Sequence, residues 1–120
     1  MILQYTSASL VSSNKQYANP SSTDSITSSN GQEDHVSMGA NGANQLRDII
    51  DSLYDILAIE LITASQAKEY NSYKSSNIIN EFIDDFRKLI PKITNDRVLS
   101  DDIKKTVNYL RDYKIEKLLF

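Results

Sequence analysis

Residues 46–68 read Leu-Arg-Asp-Ile-Ile-Asp-Ser-Leu-Tyr-Asp-Ile-Leu-Ala-Ile-Glu-Leu-Ile-Thr-Ala-Ser-Gln-Ala-Lys, and this stretch decides the fold. Leu46, Ile50, Leu53, Leu57, Leu61 and Ala64 recur at helical spacing and form one stripe. Ile49, Ile56, Ile59 and Ile62 widen that stripe far around the cylinder. From Ile56 to Ala67 the only charge is Glu60. A helix that is apolar nearly all round is buried on all sides. The pattern extends back to about Val36, weakened only by Gly39 and Gly42, so the expected helix covers 36–68 and is on the order of 50 Å long. The short helices expected around it offer too little surface to cover that length, so the cover is expected from other chain, either more of the same protein or other subunits.

The flanking segments also read as helix. Ile2 to about Ala18 is helical and is stopped by Pro20, because a residue before proline is pushed out of the α region. Asn19–Asp34 is rich in Ser, Thr, Asn and Gly and reads as loop. Ser76 or Asn77 caps a helix that ends at Ile90 before Pro91, with Phe82, Phe86, Leu89 and Ile90 as its core stripe. Ser100 is the expected cap of a last helix, with Asp101 and Asp102 at the positive end of its dipole and Ile103, Val107 and Leu110 facing inward. Apart from a weak extended tendency at Lys92–Thr94, no strand is expected. The fold class is all-α, in three parts: 1–35, a helix end plus a loop; 36–68, the long helix; and 76–120, the C-terminal helices.

Composition narrows the chemistry. The chain has 120 residues, 13 Lys+Arg, 16 Asp+Glu, one His and no Cys. Zero Cys excludes disulfides, thiolate metal sites and a cysteine nucleophile, and a single His excludes a His-rich metal cluster. No metal site is expected. A net charge of −3 argues against a nucleic-acid partner. No stretch approaches the ~20 apolar residues of a membrane span, and the N-terminus lacks a signal-peptide pattern, so the expected compartment is the cytoplasm. Charge is uneven: residues 1–45 carry only Lys15, Asp24, Glu33 and Asp34, while the remaining 25 charged side chains follow. Polar yet nearly uncharged, with Ile2, Leu3, Tyr5, Leu10, Val11 and Tyr17 included, this first third reads better as surface packed inside something than as a disordered arm.

No P-loop, Gly-rich dinucleotide fingerprint, GxSxG or HExxH is present. The carboxylate pairs Asp84–Asp85 and Asp101–Asp102 read as solvated faces or caps, and the seven tyrosines share no spacing and read as packing residues. One cluster differs. Gln32-Glu33-Asp34-His35 gathers two carboxylates, an amide and the only His between a neutral loop and the long helix. Capping of that helix by Glu33 and Asp34 is the commoner role for such a position. The alternative is a ligand-facing pair, in which Glu33 suits an imidazole or an amine.

At these residues the chain resembles histidine ammonia-lyase. The likeness runs through Gln4-Tyr5-Thr6, Leu10-Val11-Ser12, Asn19-Pro20-Ser21-Ser22 and, most densely, Ser29-Asn30-Gly31-Gln32-Glu33-Asp34-His35-Val36-Ser37-Met38-Gly39. It continues in Leu46-Arg47, Leu57-Ala58-Ile59-Glu60-Leu61, Asp96-Arg97 and Asp102-Ile103. The resemblance implies an all-helical tetramer with long helices bundled at its centre, and removal of ammonia from L-histidine to give trans-urocanate. It implies that Glu33 contacts the substrate imidazole, that Gln32 lines the pocket, and that Asp34 and His35 support them. It also implies a methylidene-imidazolone (MIO) electrophile built from an internal Ala-Ser-Gly. Here Ala8-Ser9 is followed by Leu10 and Ala64-Ser65 by Gln66, so the electrophile is not expected to form from this chain, and no complete catalytic set is expected. The expectation is a C-terminal part of such an enzyme, beginning inside a family helix, inactive alone, and partnered by copies of itself or by a missing N-terminal part. Thr27 stands where the family usually has proline, and the tail from Tyr109 departs from the family pattern. Two other readings are a phenylalanine or tyrosine ammonia-lyase or aminomutase of the same superfamily, and a non-catalytic helical interaction protein.

Overall fold

Four α-helices follow one another in the computed structural model, which describes residues 1–72 and 74–114: α1 (Ile2–Tyr17), α2 (Gly39–Lys68), α3 (Asn77–Leu89) and α4 (Leu99–Asp112). No strand occurs among the described residues. The chain divides into two units, Met1–Leu53 and Tyr54–Phe120, and α2 runs through the boundary. The all-α expectation holds. Tyr73 and the tail from residue 115 lie outside the described residues.

In the first unit, α1 ends at Ala18, two residues ahead of Pro20. None of its residues is buried; Ile2 and Tyr5 are 79% and 69% exposed. A one-turn 3-10 segment, Ser21–Thr23, then turns the chain, with Thr23 N–H and Thr23 Oγ1 both donating to Pro20 O. Ser21 Oγ donates to Gln45 Oε1 at 3.1 Å and ties this turn to α2.

The long helix begins at Gly39, not at Val36. Val36 is unavailable to it because both its backbone groups are taken: its N–H donates to Ser25 Oγ (2.8 Å) and its carbonyl accepts from the same hydroxyl (3.2 Å). Ser37 Oγ accepts from Gly39 N–H, and Met38 O accepts from the Asn41 and Gly42 N–H groups. At 30 residues, α2 is about 45 Å long.

In the second unit, Ala58, Ile59 and Ile62 of α2 join Phe86 and Ile90 as the buried apolar core. Two buried hydroxyls are satisfied within their own helices, Ser65 by Ile62 O (3.0 Å) and Thr106 by Asp102 O (2.7 Å), so their burial leaves no orphan donor. Phe82, Phe86, Tyr109 and Tyr113 make an aromatic cluster, with Phe82 edge-on to Tyr113 at 5.2 Å. Tyr54 stacks beneath Arg111 (4.5 Å) and Tyr70 beneath Lys92 (5.3 Å).

Three local expectations need correction. Leu89 is 40% exposed rather than part of the core. Ile103, Val107 and Leu110 are only half-buried, and the buried positions of α4 are Asp102 and Thr106. Helix α4 starts at Leu99 with Val98 in the cap position and no side-chain cap, so Ser100 is already helical. The reason is Arg97. Its guanidinium donates to Pro91 O (2.7 Å) and Lys92 O (3.2 Å), and its Nε donates to Asp102 Oδ2 (2.8 Å). That fork gathers the α3–α4 connection and sets the entry to α4, and it makes Asp102 a buried ion-pair partner rather than a solvated carboxylate. By contrast Ser76 caps α3 as expected, accepting from Ile79 N–H at 3.4 Å. At Lys92–Thr94, where a weak extended tendency was expected, no strand forms and Ile93 pairs with a side chain: Gln66 donates to its carbonyl (3.1 Å) and accepts from its N–H (3.0 Å).

Candidate functional site

The loop between α1 and α2 is closed twice by serines. Ser25 holds Val36 at its outer end. Within that frame Ser28 and Glu33 form an antiparallel bridge, Ser28 N–H to Glu33 O at 2.9 Å and Glu33 N–H to Ser28 O at 3.3 Å. The turn between them, Ser29–Gly31, is a 3-10 segment in which three successive residues have positive φ: Ser29 (53°), Asn30 (57°) and Gly31 (85°). Glycine and asparagine visit this region readily, whereas Ser29 is there at a cost of roughly 1–2 kcal/mol. Gly31 N–H donates to Ser28 O (3.1 Å) and Gln32 N–H to Ser29 O (3.2 Å), so the turn is held by bonds within itself.

This arrangement presents Gln32 and Glu33 at the mouth of a short closed loop. All four residues of the cluster, Gln32, Glu33, Asp34 and His35, are exposed. Glu33 Oε2 accepts a long hydrogen bond from Ser28 Oγ, 3.5 Å. Glu33 and Asp34 therefore do not cap α2: the helix starts five residues beyond Asp34, and the acceptor at its first N–H is Ser37. Both carboxylates thus lie outside the first turn of α2. His35 diverges from Gln32 and Glu33. It lines a shallow cleft of about 440 Å³ with Ser21, Asp24, Val36, Ser37 and Gly42 at the start of α2.

Sequence reading missed Ser25, Ser28 and Asp24. The two serines build the loop, and Asp24 is the one carboxylate among the described residues lining the His35 cleft. In a segment with so many serines none stands out. The available signal was the spacing, since Ser28 and Glu33 bracket the turn former Asn30-Gly31. A second cleft, about 490 Å³ and lined by Leu89, Lys105, Tyr109 and Tyr113 among others, holds none of the candidate site residues. Among the described residues no group of three or more His, Asp or Glu side chains is placed to hold a metal ion, and no helix is long and apolar enough to cross a membrane.

Comparison with known proteins places this chain in a family. Residues 1–88 match the aromatic amino acid lyase family. Histidine ammonia-lyase of Bacillus mycoides is 46% identical over 99% of this chain, and that of Bacillus anthracis is 45% identical over the same share. The crystal structure of histidine ammonia-lyase from Trypanosoma cruzi superposes with a TM-score of 0.93 at 34% identity, again over 99% of this chain. In each case the chain spans 24% of the relative's length, about a quarter of it. The helices, the double-closed serine loop and the match through residue 88 lead to one conclusion: the chain belongs to the aromatic amino acid lyase family.

Proposed function

We propose that this chain supplies the imidazole-recognising element of a histidine ammonia-lyase, the enzyme class that converts L-histidine to trans-urocanate and ammonia. The observation that carries the reading is the release of Glu33 from any capping duty. Its carboxylate stands exposed at the end of a turn closed by the Ser28–Glu33 bridge, with a long hydrogen bond from Ser28 Oγ. A carboxylate so placed accepts a hydrogen bond from an imidazole N–H, and Gln32 beside it offers an amide donor and acceptor. Asp34 and His35 support the loop's junction with α2. The identities of 44–46% to histidine ammonia-lyases across nearly the whole chain support histidine over phenylalanine or tyrosine as the substrate.

The family's electrophile, methylidene-imidazolone, draws electrons from the bound amino acid so that ammonia can leave. The residues here do not fit its formation. Ala8-Ser9-Leu10 lies inside α1, and Ala64-Ser65-Gln66 lies inside α2, where Ser65 is buried and donates to Ile62 O. Cyclisation needs a glycine nitrogen and a backbone free to bend, and both segments are helical and lack glycine at the third position. The electrophile therefore comes from chain outside these 120 residues. The partner is a further copy or the rest of the enzyme, in the cytoplasm, and L-histidine is bound only in that assembly. The stripe of α2 supports this: Leu46, Ile50, Leu53 and Leu57 stay 56%, 43%, 46% and 41% exposed.

The test is direct. The purified chain incubated with L-histidine forms no urocanate by ultraviolet absorbance. Urocanate production by the chain alone overturns the assignment of the electrophile to another segment.

A further inference from the structure

The sequence contains two Asn-Gly pairs, Asn30-Gly31 and Asn41-Gly42, and both asparagines are exposed. We propose that Asn30 is a spontaneous deamidation site, that the fold spares Asn41, and that the reaction at Asn30 alters the loop presenting Gln32 and Glu33. The importance of that loop rests on the function proposed above; the modification itself does not.

The chemistry needs only water. The Gly31 backbone nitrogen loses its proton and attacks the Asn30 side-chain carbon, forming a ring C–N bond. The bond from that carbon to Nδ2 breaks, and ammonia leaves with a proton from solvent. Water then opens either ring carbonyl, giving aspartate or an isoaspartyl linkage. No oxidant or cofactor enters, and loss of the glycine proton makes the reaction faster as pH rises.

Geometry separates the two sites. At Asn30 ψ is 36°, which puts the Gly31 nitrogen on the side of the Cα–C bond opposite Cβ. Reaction therefore requires the turn to open. Opening breaks the Gly31–Ser28 and Gln32–Ser29 bonds and the Ser28–Glu33 bridge, all within six residues, and it relieves the left-handed conformation of Ser29. At Asn41 the corresponding nitrogen, Gly42 N–H, is bonded to Met38 O inside the first turn of a 30-residue helix. One turn further on, Gln45 is tethered by the hydrogen bond from Ser21 Oγ. Exposing the Asn41 site means unwinding the helix start together with its tether, a larger opening than releasing one turn. At Asn30 the products add a negative charge three residues from Glu33, and the isoaspartyl form lengthens the backbone inside a turn closed by a two-bond bridge.

The full chain held at mildly alkaline pH and sampled over days provides the test. Digestion after glutamate cuts at Glu33 and puts the two asparagines on different peptides for mass analysis. The Asn30 peptide gains the deamidation mass several-fold faster than the Asn41 peptide, and in concentrated urea the two rates converge. Equal rates in the native chain, a faster Asn41, an unchanged Asn30 peptide, or a rate ratio that persists in urea would each overturn the proposal.

Discussion

At the scale of single residues, Glu33, Arg97 and Tyr109 show what a sequence can and cannot disclose. Glu33 was legible as chemistry, since a carboxylate concentrated in a neutral segment is conspicuous. Its freedom from capping was not, because that depends on Ser25 holding Val36 out of the helix, a contact across 11 residues. Asp102 read as a solvated or capping carboxylate, whereas the fold buries it to 7% exposure beside Arg97. Arg97→Ala leaves that carboxylate without its cation and removes two carbonyl contacts, and urea unfolding should show a loss of about 1–3 kcal/mol. Tyr109 gives a pH prediction. Burial of its hydroxyl, which has no hydrogen-bond partner among the described residues, pushes its pKa up to about 12, with smaller contributions from the charges of Tyr113 and Asp85. The folded state thus favours the protonated phenol. Its contribution is fully present below pH 10 and is lost as pH rises from about 10 to about 12. Tyr109→Phe flattens stability across that window and is neutral or stabilising at pH 7, since it removes an unpaired polar atom. A clear destabilisation at neutral pH would show that the hydroxyl has a partner.

At the scale of elements, helix positions followed from periodicity and punctuation. Pro20 and Pro91 stop α1 and α3 where expected, and Ser76 caps α3. Ser76→Ala should cost about 1 kcal/mol, read from the thermal midpoint. The starts of α2 and α4 were less legible, because each is set by a side chain outside the helix, Ser25 in one case and Arg97 in the other. Helix α2 itself shows which of its apolar residues this chain covers. Ala58, Ile59 and Ile62 are buried, whereas the stripe Leu46, Ile50, Leu53, Leu57 remains open. Periodicity gives both faces the same apolar character, so only the structure distinguishes them. The open stripe predicts self-association by light scattering, weakened by Leu53→Lys with helical content unchanged. A monodisperse monomer of the unaltered chain would contradict this.

At the scale of the whole molecule, the arithmetic of cover fits a shared enzyme better than a free-standing one. The first unit buries no residue completely, yet it carries the candidate site and few charges. The chain as a whole matches histidine ammonia-lyases over a quarter of their length. The most direct test replaces the matching quarter of the Bacillus mycoides histidine ammonia-lyase with this chain and compares kcat/KM for L-histidine and L-phenylalanine with and without Glu33→Gln. The account predicts that the chimera turns over histidine in preference to phenylalanine. It predicts that Glu33→Gln lowers kcat/KM for histidine by roughly 10- to 150-fold, the worth of a charge-assisted hydrogen bond of about 1.5–3 kcal/mol, while leaving phenylalanine unharmed. An unchanged histidine kcat/KM in the Glu33→Gln chimera, or a preference for phenylalanine with Glu33 in place, would contradict it.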